Sequence, residues 1–350
     1  MGRRILTHIA RQVVIWTLAL SFWTIMRRYG QEVVQEYAMN FWQHVRMHLL
    51  VGVFAGTLFG LLEYVFETKV VRKVSFKKAL IIGSLSYLAS VVLIIVFGIR
   101  AFIKILDIPW SSQIYQEYLL SGEMFLFVFY CFLVGFIIDF VREVDKKFGP
   151  GNLWKMLKGE FYSPKEDERI FMFLDLKSST AIAENLGHIE YSQLIQDCFH
   201  DLDVVAKYQA EVYQYVGDEV VLTWPKEIGL LNSNCLRAFF DFKDRLVERS
   251  DYYNEKYGLV PEFKAGLNVG KIVVAEVGDI KTEIAYHGDT INTAARIQGE
   301  CNRLRTEVLI SESLRLQLDI EPTLKSVLKD QIQLRGKQQA INVYAVEKAS

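Results

Sequence analysis

The 350-residue sequence contains neither a G-x-x-x-x-G-K-[ST] loop nor a G-x-G-x-x-G fingerprint. Two of the commonest glycine-rich phosphate cradles are therefore excluded. Cysteine is scarce. Cys131, Cys198, Cys235 and Cys301 are scattered without C-x-x-C spacing, which leaves no zinc site and no disulfide framework and reads as ordinary reduced thiols. An excess of charge of either sign is also missing, with 40 Lys+Arg against 41 Asp+Glu. That balance argues against a nucleic-acid binder working through a basic face. No internal repeat or low-complexity tract is visible.

What is abundant is apolar residues, at 51% of the chain, and they are unevenly placed. Four apolar runs, Val13 to Met26, His48 to Phe66, Ala79 to Ile99 and Leu119 to Phe140, fall in the first 141 residues. A bilayer crossing needs roughly 20 predominantly apolar residues, so a membrane domain over 1–141 is expected, with spans at about 10–28, 46–66, 79–99 and 119–141. The first run follows Arg3 and Arg4 as a signal peptide would, but it ends in Arg27-Arg28-Tyr29 and not in a small-residue cleavage site. It reads as an uncleaved span. Arg3, Arg4 and Arg11, then Lys69, Arg72, Lys73, Lys77 and Lys78, then Arg142, Lys146 and Lys147 all fall on one side of four spans. By the positive-inside rule that side is the cytoplasm, so the N-terminus and the C-terminal half are both expected there, at an inner or plasma membrane. Glu63 and Glu123 lie at or near membrane depth. Such groups face a bundle interior or the interface.

Residues 142–167 read as a linker. Gly149-Pro150-Gly151 breaks any helix leaving the membrane, Leu153, Trp154, Met156 and Leu157 form a short amphipathic turn, and a polar stretch follows. A second domain is placed at 168–350, where short apolar strands alternate with helical segments in an α+β pattern. Ile170 to Leu174 is a continuous apolar run of buried-strand type, ending at Asp175. Glu211 to Val216 and Val220 to Trp224 form a hairpin around Gly217-Asp218. A helix is expected over Cys235 to Tyr253, and a second strand pair, Phe263 to Val269 and Ile272 to Val277, around Gly270.

Asp175 and Asp218 converge if their strands are neighbours. Two carboxylates in one pocket repel and are relieved by a shared proton or by cations. Mg²⁺ accepts a few carboxylate oxygens and completes its shell with water and phosphate, and a pair of such ions suits phosphoryl chemistry. The following Lys177-Ser178-Ser179-Thr180 offers successive backbone N–H groups at a helix start, where phosphate can sit. Further on, Asn292 and Arg296 lie four apart and share one helix face. An amide and a guanidinium together suit a sugar edge and a phosphoryl group.

The ordered motifs FMFLDLKSST, YQYVGDEVV, YHGDTINTAARI and LRGKQQAINVYAV resemble those of the class III nucleotide cyclases, the adenylate and guanylate cyclase family, in a membrane-anchored bacterial form. The resemblance covers about residues 168 to 347. It implies a ferredoxin-like α+β domain that works as a homodimer with active sites at the interface. By this resemblance Asp175, Asp218 and the Leu176 carbonyl hold two Mg²⁺ or Mn²⁺ ions, and Lys177 to Thr180 form the phosphate turn. Asn292 positions the ribose and Arg296 stabilises charge on the α-phosphoryl, both from the partner subunit. Arg335 or Lys337 meets the terminal phosphates. The implied reaction converts ATP to 3′,5′-cyclic AMP and pyrophosphate.

One pair departs from the family pattern. Adenylate cyclases usually carry Lys three residues before the hairpin Gly and Asp or Thr three before the later Gly; guanylate cyclases carry Glu and Cys or similar. This chain has Gln214 and Ala285. Gln can donate or accept, Ala can do neither, so GTP or relaxed purine use stays open beside ATP. A catalytically silent cyclase-homology module is the reading from another class; the presence of Asp175, Asp218, Asn292 and Arg296 speaks against it. A diguanylate cyclase hairpin resembles VGDEV only loosely and has no place for the Asn292 and Arg296 helix.

Overall fold

The computed structural model describes residues 2–28, 41–69, 76–105, 120–149, 151–333 and 340–349. The chain divides into two compact units, Met1–Lys147 and Phe148–Ser350.

The first unit is helical, with long helices Gly2–Arg28, Phe41–Lys69, Phe76–Ile105 and Gly122–Phe148. Three of them carry stretches long and apolar enough to cross a membrane, Ile5–Arg27, His48–Val65 and Gly122–Asp145. In the third helix the described apolar stretch is shorter, Leu80–Ile95. The first helix, whose apolar run looked shortest in the sequence, thus gains a full span because Ile5, Ile9 and their neighbours extend it toward the N-terminus.

The first two helices pack at backbone contact. Gly52, Gly56 and Gly60 repeat every fourth residue, and a Cβ on Gly56 would fall 2.4 Å from the Val13 Cα. Small residues at this spacing allow close helix approach in lipid. Around them Trp16, Phe59, Tyr87 and Cys131 form the bundle core. Glu63, expected at membrane depth, is buried and satisfied. Its carboxylate accepts a hydrogen bond from the Arg11 guanidinium and another from Gln12 Nε2 at 2.8 Å, while Arg142 lies 3.5 Å away. Gln12 Nε2 also reaches the Tyr87 hydroxyl at 2.9 Å, so this polar knot touches all four helices.

The second unit is built on one sheet. Among the described residues it has eight strands in the order β2-β3-β1-β4-β6-β8-β7, with β5 added to β4. The strands are β1 Lys165–Leu176, β2 Glu211–Val216, β3 Glu219–Pro225, β4 Phe263–Val277, β5 Glu283–His287, β6 Val308–Ser311, β7 Leu324–Ile332 and β8 Ile341–Lys348. β1 begins at Lys165, within the stretch that reads as polar linker, because its first residues pair with β4 beyond the end of β3. The linker helix Asn152–Leu157 lies in this unit, and Met156 and Phe161 pack beside Phe171 and Val274.

Alternation along β1 separates the two sheet faces. Ile170, Met172, Leu174 and Leu176 join the large core under helices Ser179–Asp201, Asn234–Glu248 and Ser250–Tyr257. Phe171 and Phe173 point to the other face, with Val221, Ile272 and Val274. Asp175 follows the same period and lies on this second face.

Two expected elements differ. The helix over 235–253 breaks at Arg249, which turns its guanidinium onto the buried Asp201 at 2.6 and 2.7 Å. The strand pair around Gly270 is one continuous strand of 15 residues, β4. Gly270 is no turn. A Cβ there would fall 2.7 Å from Thr290 Oγ1, so the missing side chain makes room for the helix Asp289–Gly299.

Candidate active site

Asp175 sits one residue from the end of β1, in register with Glu219 on β3 and Lys264 on β4. Gly217, at φ 64, makes the β2–β3 turn that carries Asp218. The two aspartates thereby come to the same end of neighbouring strands, and each carboxylate lies in the other's field. Burial pushes the Asp175 carboxyl up, the hydrogen bond and charge of Lys264 pull it down, and the Asp218 charge adds to the upward side, which prevails. Glu219, which opens β3 beside them, is raised by burial and then by Asp175 and Asp218. Three carboxylates thus crowd one sheet end.

Behind Asp175 the chain turns through Lys177 and Ser178 into the helix Ser179–Asp201. Ser178 takes φ 56 and no side chain caps the helix start. The first backbone bond into the turn from beyond it is Ile182 N–H to the Ser178 carbonyl at 3.0 Å. The N–H groups of Ser179 and Thr180 therefore stand at an uncapped N-terminus, the setting that takes anions. Lys177 is oriented differently. Its ammonium is held by Glu262 at 2.9 Å and Glu307 at 3.7 Å, and its N–H donates to the Glu262 carbonyl at 2.8 Å. Leu176, the last residue of β1, pairs with Phe263.

Asn292 and Arg296 lie on the helix Asp289–Gly299. Thr293, Ala294, Ile297 and Gln298 are buried, leaving Asn292 exposed and Arg296 half-buried. Among the described residues no hydrogen bond or ion pair joins either of them to Asp175 or Asp218 within the chain. Gln214 is exposed on β2 and pairs with Val221, after a bulge at Val212/Gln214 that turns Tyr213 and Gln214 to the second sheet face. Tyr213 meets Tyr286, the neighbour of Ala285 on β5, edge to face with ring centroids 4.8 Å apart. Ala285 pairs with Ala275. Arg335 and Lys337 lie outside the described residues.

Three further residues belong to the site and carry no motif. Lys264 Nζ and Gln298 Nε2 each lie 3.1 Å from Asp175 Oδ2. Tyr191, on the helix after the phosphate turn, is pushed up by burial and by the Asp218 charge, against a hydrogen bond from Ser179. Only the strand register and helix docking bring these groups to the aspartates.

The adenylate and guanylate cyclase catalytic domain family matches residues 161–348. The chain belongs to this family. Adenylate cyclase 2 of Rhizobium meliloti (strain 1021) is 34% identical over 207 residues, 58% of this chain and 57% of that protein. Adenylate cyclase 1 of the same strain is 28% identical over 183 residues, 50% of this chain and 27% of that protein. The match thus spans little more than half of one cyclase and about a quarter of the other. A bacterial light-regulated adenylyl cyclase has the same fold, at TM-score 0.53 and 21% identity over 65% of each chain.

The cyclase site suits hard divalent cations. Its aspartates offer carboxylate oxygens whose repulsion a cation relieves, and the Lys264 ammonium already stands as a monovalent counter-ion on Asp175. Among the described residues no group of three or more His, Cys, Asp and Glu side chains is arranged to hold a metal. Mg²⁺ held by Asp175 and Asp218 would complete its shell with water and phosphate, as it does with few carboxylates.

Proposed function

We propose that the chain is a membrane-anchored adenylate cyclase that converts ATP to 3′,5′-cyclic AMP and pyrophosphate at sites shared by two copies. The observation that carries this reading is the convergence of Asp175 and Asp218 beside the uncapped start of the helix Ser179–Asp201. ATP is favoured by the 34% identity to a protein named adenylate cyclase. Bound at the two aspartates, Mg²⁺ or Mn²⁺ ions supply activation of the ribose 3′-hydroxyl and neutralisation of the polyphosphate.

The chain's own groups do the rest. Backbone N–H groups of Ser179 and Thr180 cradle phosphate oxygens, and Lys264, seated on Asp175, adds a positive charge at the polyphosphate end. Asn292 of one copy orients the ribose in the site of the other, and Arg296 meets the charge that grows on the α-phosphoryl. Preorganised charge of this kind is the main source of acceleration in phosphoryl transfer. A shared site accounts for Asn292 and Arg296 having, among the described residues, no hydrogen bond or ion pair to the aspartates of their own chain.

Four spans with both termini in the cytoplasm fit the lysine and arginine clusters and put the cyclase unit where ATP is available. The test uses mixed chains. Asp175→Asn and Arg296→Ala are each expected to abolish turnover alone. Co-expressed, they are expected to regain up to about a quarter of wild-type activity, because one of the two sites in a mixed dimer is intact. An inactive mixture that still forms dimers would contradict the shared site.

A further inference from the structure

We propose that Gln298 is a positioning residue for the metal-binding carboxylate of Asp175, and that it ties the helix serving the partner's site to the metal site of its own chain. This rests on the shared-site reading above. Gln298 is 7% exposed, and its Nε2 donates to Asp175 Oδ2 at 3.1 Å. Lys264 reaches the same oxygen. Among the described residues Oδ1 has no side-chain donor, so the two donors fix one oxygen and leave the other for a cation.

The residue type matters. An amide donates without adding charge to a sheet end already crowded by Asp175, Asp218 and Glu219; a carboxylate would repel and an aliphatic chain would not donate. The reach is also fixed. A Cβ on Gly266 would fall 2.1 Å from the Gln298 backbone nitrogen, so the helix lies directly on β4 and cannot settle closer. Gln298 therefore holds Asp175 from a backbone that has little slack. Asn292 and Arg296 occupy the other side of the same helix of 11 residues. A shift of this helix on nucleotide engagement by Asn292 and Arg296 is carried to Asp175 through Gln298.

The test is on the full chain in detergent, with Mn²⁺ binding read by electron paramagnetic resonance and metal-free melting read alongside. Gln298→Met keeps length and removes the donor; Gln298→Asn keeps the amide and withdraws it by one methylene. Both are expected to weaken Mn²⁺ binding by about tenfold, the usual effect of losing a partner of a metal ligand, without lowering the metal-free melting temperature. Unchanged Mn²⁺ affinity in both variants would overturn the proposal. So would a loss of affinity that tracks a fall in melting temperature, since a missing core contact explains that.

Mixed dimers separate holding Asp175 from placing Arg296. With Gln298→Met and Arg296→Ala in one chain and a wild-type partner, the surviving site uses the altered chain's Asp175, and its Mn²⁺ requirement is expected to rise about tenfold. With the two substitutions on opposite chains, the surviving site uses an unaltered Gln298, and the requirement is expected to stay at the wild-type value. Equal requirements in the two mixtures would overturn the proposal. Failure of the shared-site reading is seen separately, as an inactive Asp175→Asn and Arg296→Ala mixture.

Discussion

Gly266 and Gln298 touch backbone to backbone, leaving no room for a Cβ on the glycine, which would sit 2.1 Å from the Gln298 nitrogen. This contact seats the helix Asp289–Gly299 on β4 and so sets the height of Asn292 and Arg296 above the sheet. Gly266→Ala is expected to lift the helix, lower the cyclase unit's stability by about 1–3 kcal/mol as overpacking does, and reduce turnover more than tenfold. Thermal melting and a turnover assay check it. Full activity at unchanged stability would show that the helix has slack.

The crowding of Asp175, Glu219 and Asp218 predicts a pH-dependent cost in the metal-free protein. Asp175 and Glu219 are raised in the fold by burial, with Asp218 adding to the shift. A raised group contributes stability that is present below its unfolded value and lost as pH rises through the folded one. Asp218→Asn removes one repelling charge, so in chelator it is expected to melt about 2 °C higher than wild type near pH 7.5. The gap should close as pH falls into the carboxylate range. Melting curves across pH check it; a variant that melts lower at neutral pH would contradict the crowding.

The residues of the candidate site stood out in the sequence to different degrees, for reasons that differ by residue. Asp175 ends a continuous apolar run and Asp218 follows a glycine between two strand-like runs, a pattern that alone is ordinary strand-end and turn chemistry and drew notice only beside the other family motifs. Asn292 and Arg296 showed through their spacing of four. Lys264 and Gln298 reach Asp175 through strand register and helix docking between segments far apart in the chain, and no local pattern reports that. Gly270 misled for a related reason: a glycine inside an apolar stretch reads as a turn, whereas here it clears space for Thr290. The glycines at 52, 56 and 60 pack helix on helix and were masked by the apolar run that contains them.

The family resemblance puts Gln214 at the base-selecting position. An amide can present either a donor or an acceptor, while Lys only donates and an ionised Glu only accepts. Adenine N1 accepts and guanine N1–H donates. Gln214→Lys is therefore expected to raise the ATP-to-GTP ratio of kcat/KM about tenfold, and Gln214→Glu to lower it about tenfold, each the effect of one matched or mismatched hydrogen bond. Steady-state kinetics with both nucleotides checks it. No movement in either variant would remove Gln214 from the base pocket.

In the helical unit, Gly56→Leu is expected to force the first two helices apart, since even a Cβ meets the Val13 backbone at 2.4 Å. The cyclase unit has its own core. Calorimetry in detergent should show the helical transition lowered or lost and the cyclase transition unmoved. A helical transition at its wild-type temperature would contradict the backbone contact.

Product identification tests most directly whether this chain makes a cyclic nucleotide. Purified full-length protein is supplied with Mn²⁺ or Mg²⁺ and, separately, with ATP, GTP, CTP and UTP, and products are identified by mass spectrometry beside an Asp218→Asn control. The expected result is 3′,5′-cyclic AMP and pyrophosphate in equal amounts from ATP, dependent on the metal and absent in the control. Intact dimers that form no cyclic nucleotide from any of the four, or an Asp218→Asn protein as active as wild type, would contradict it.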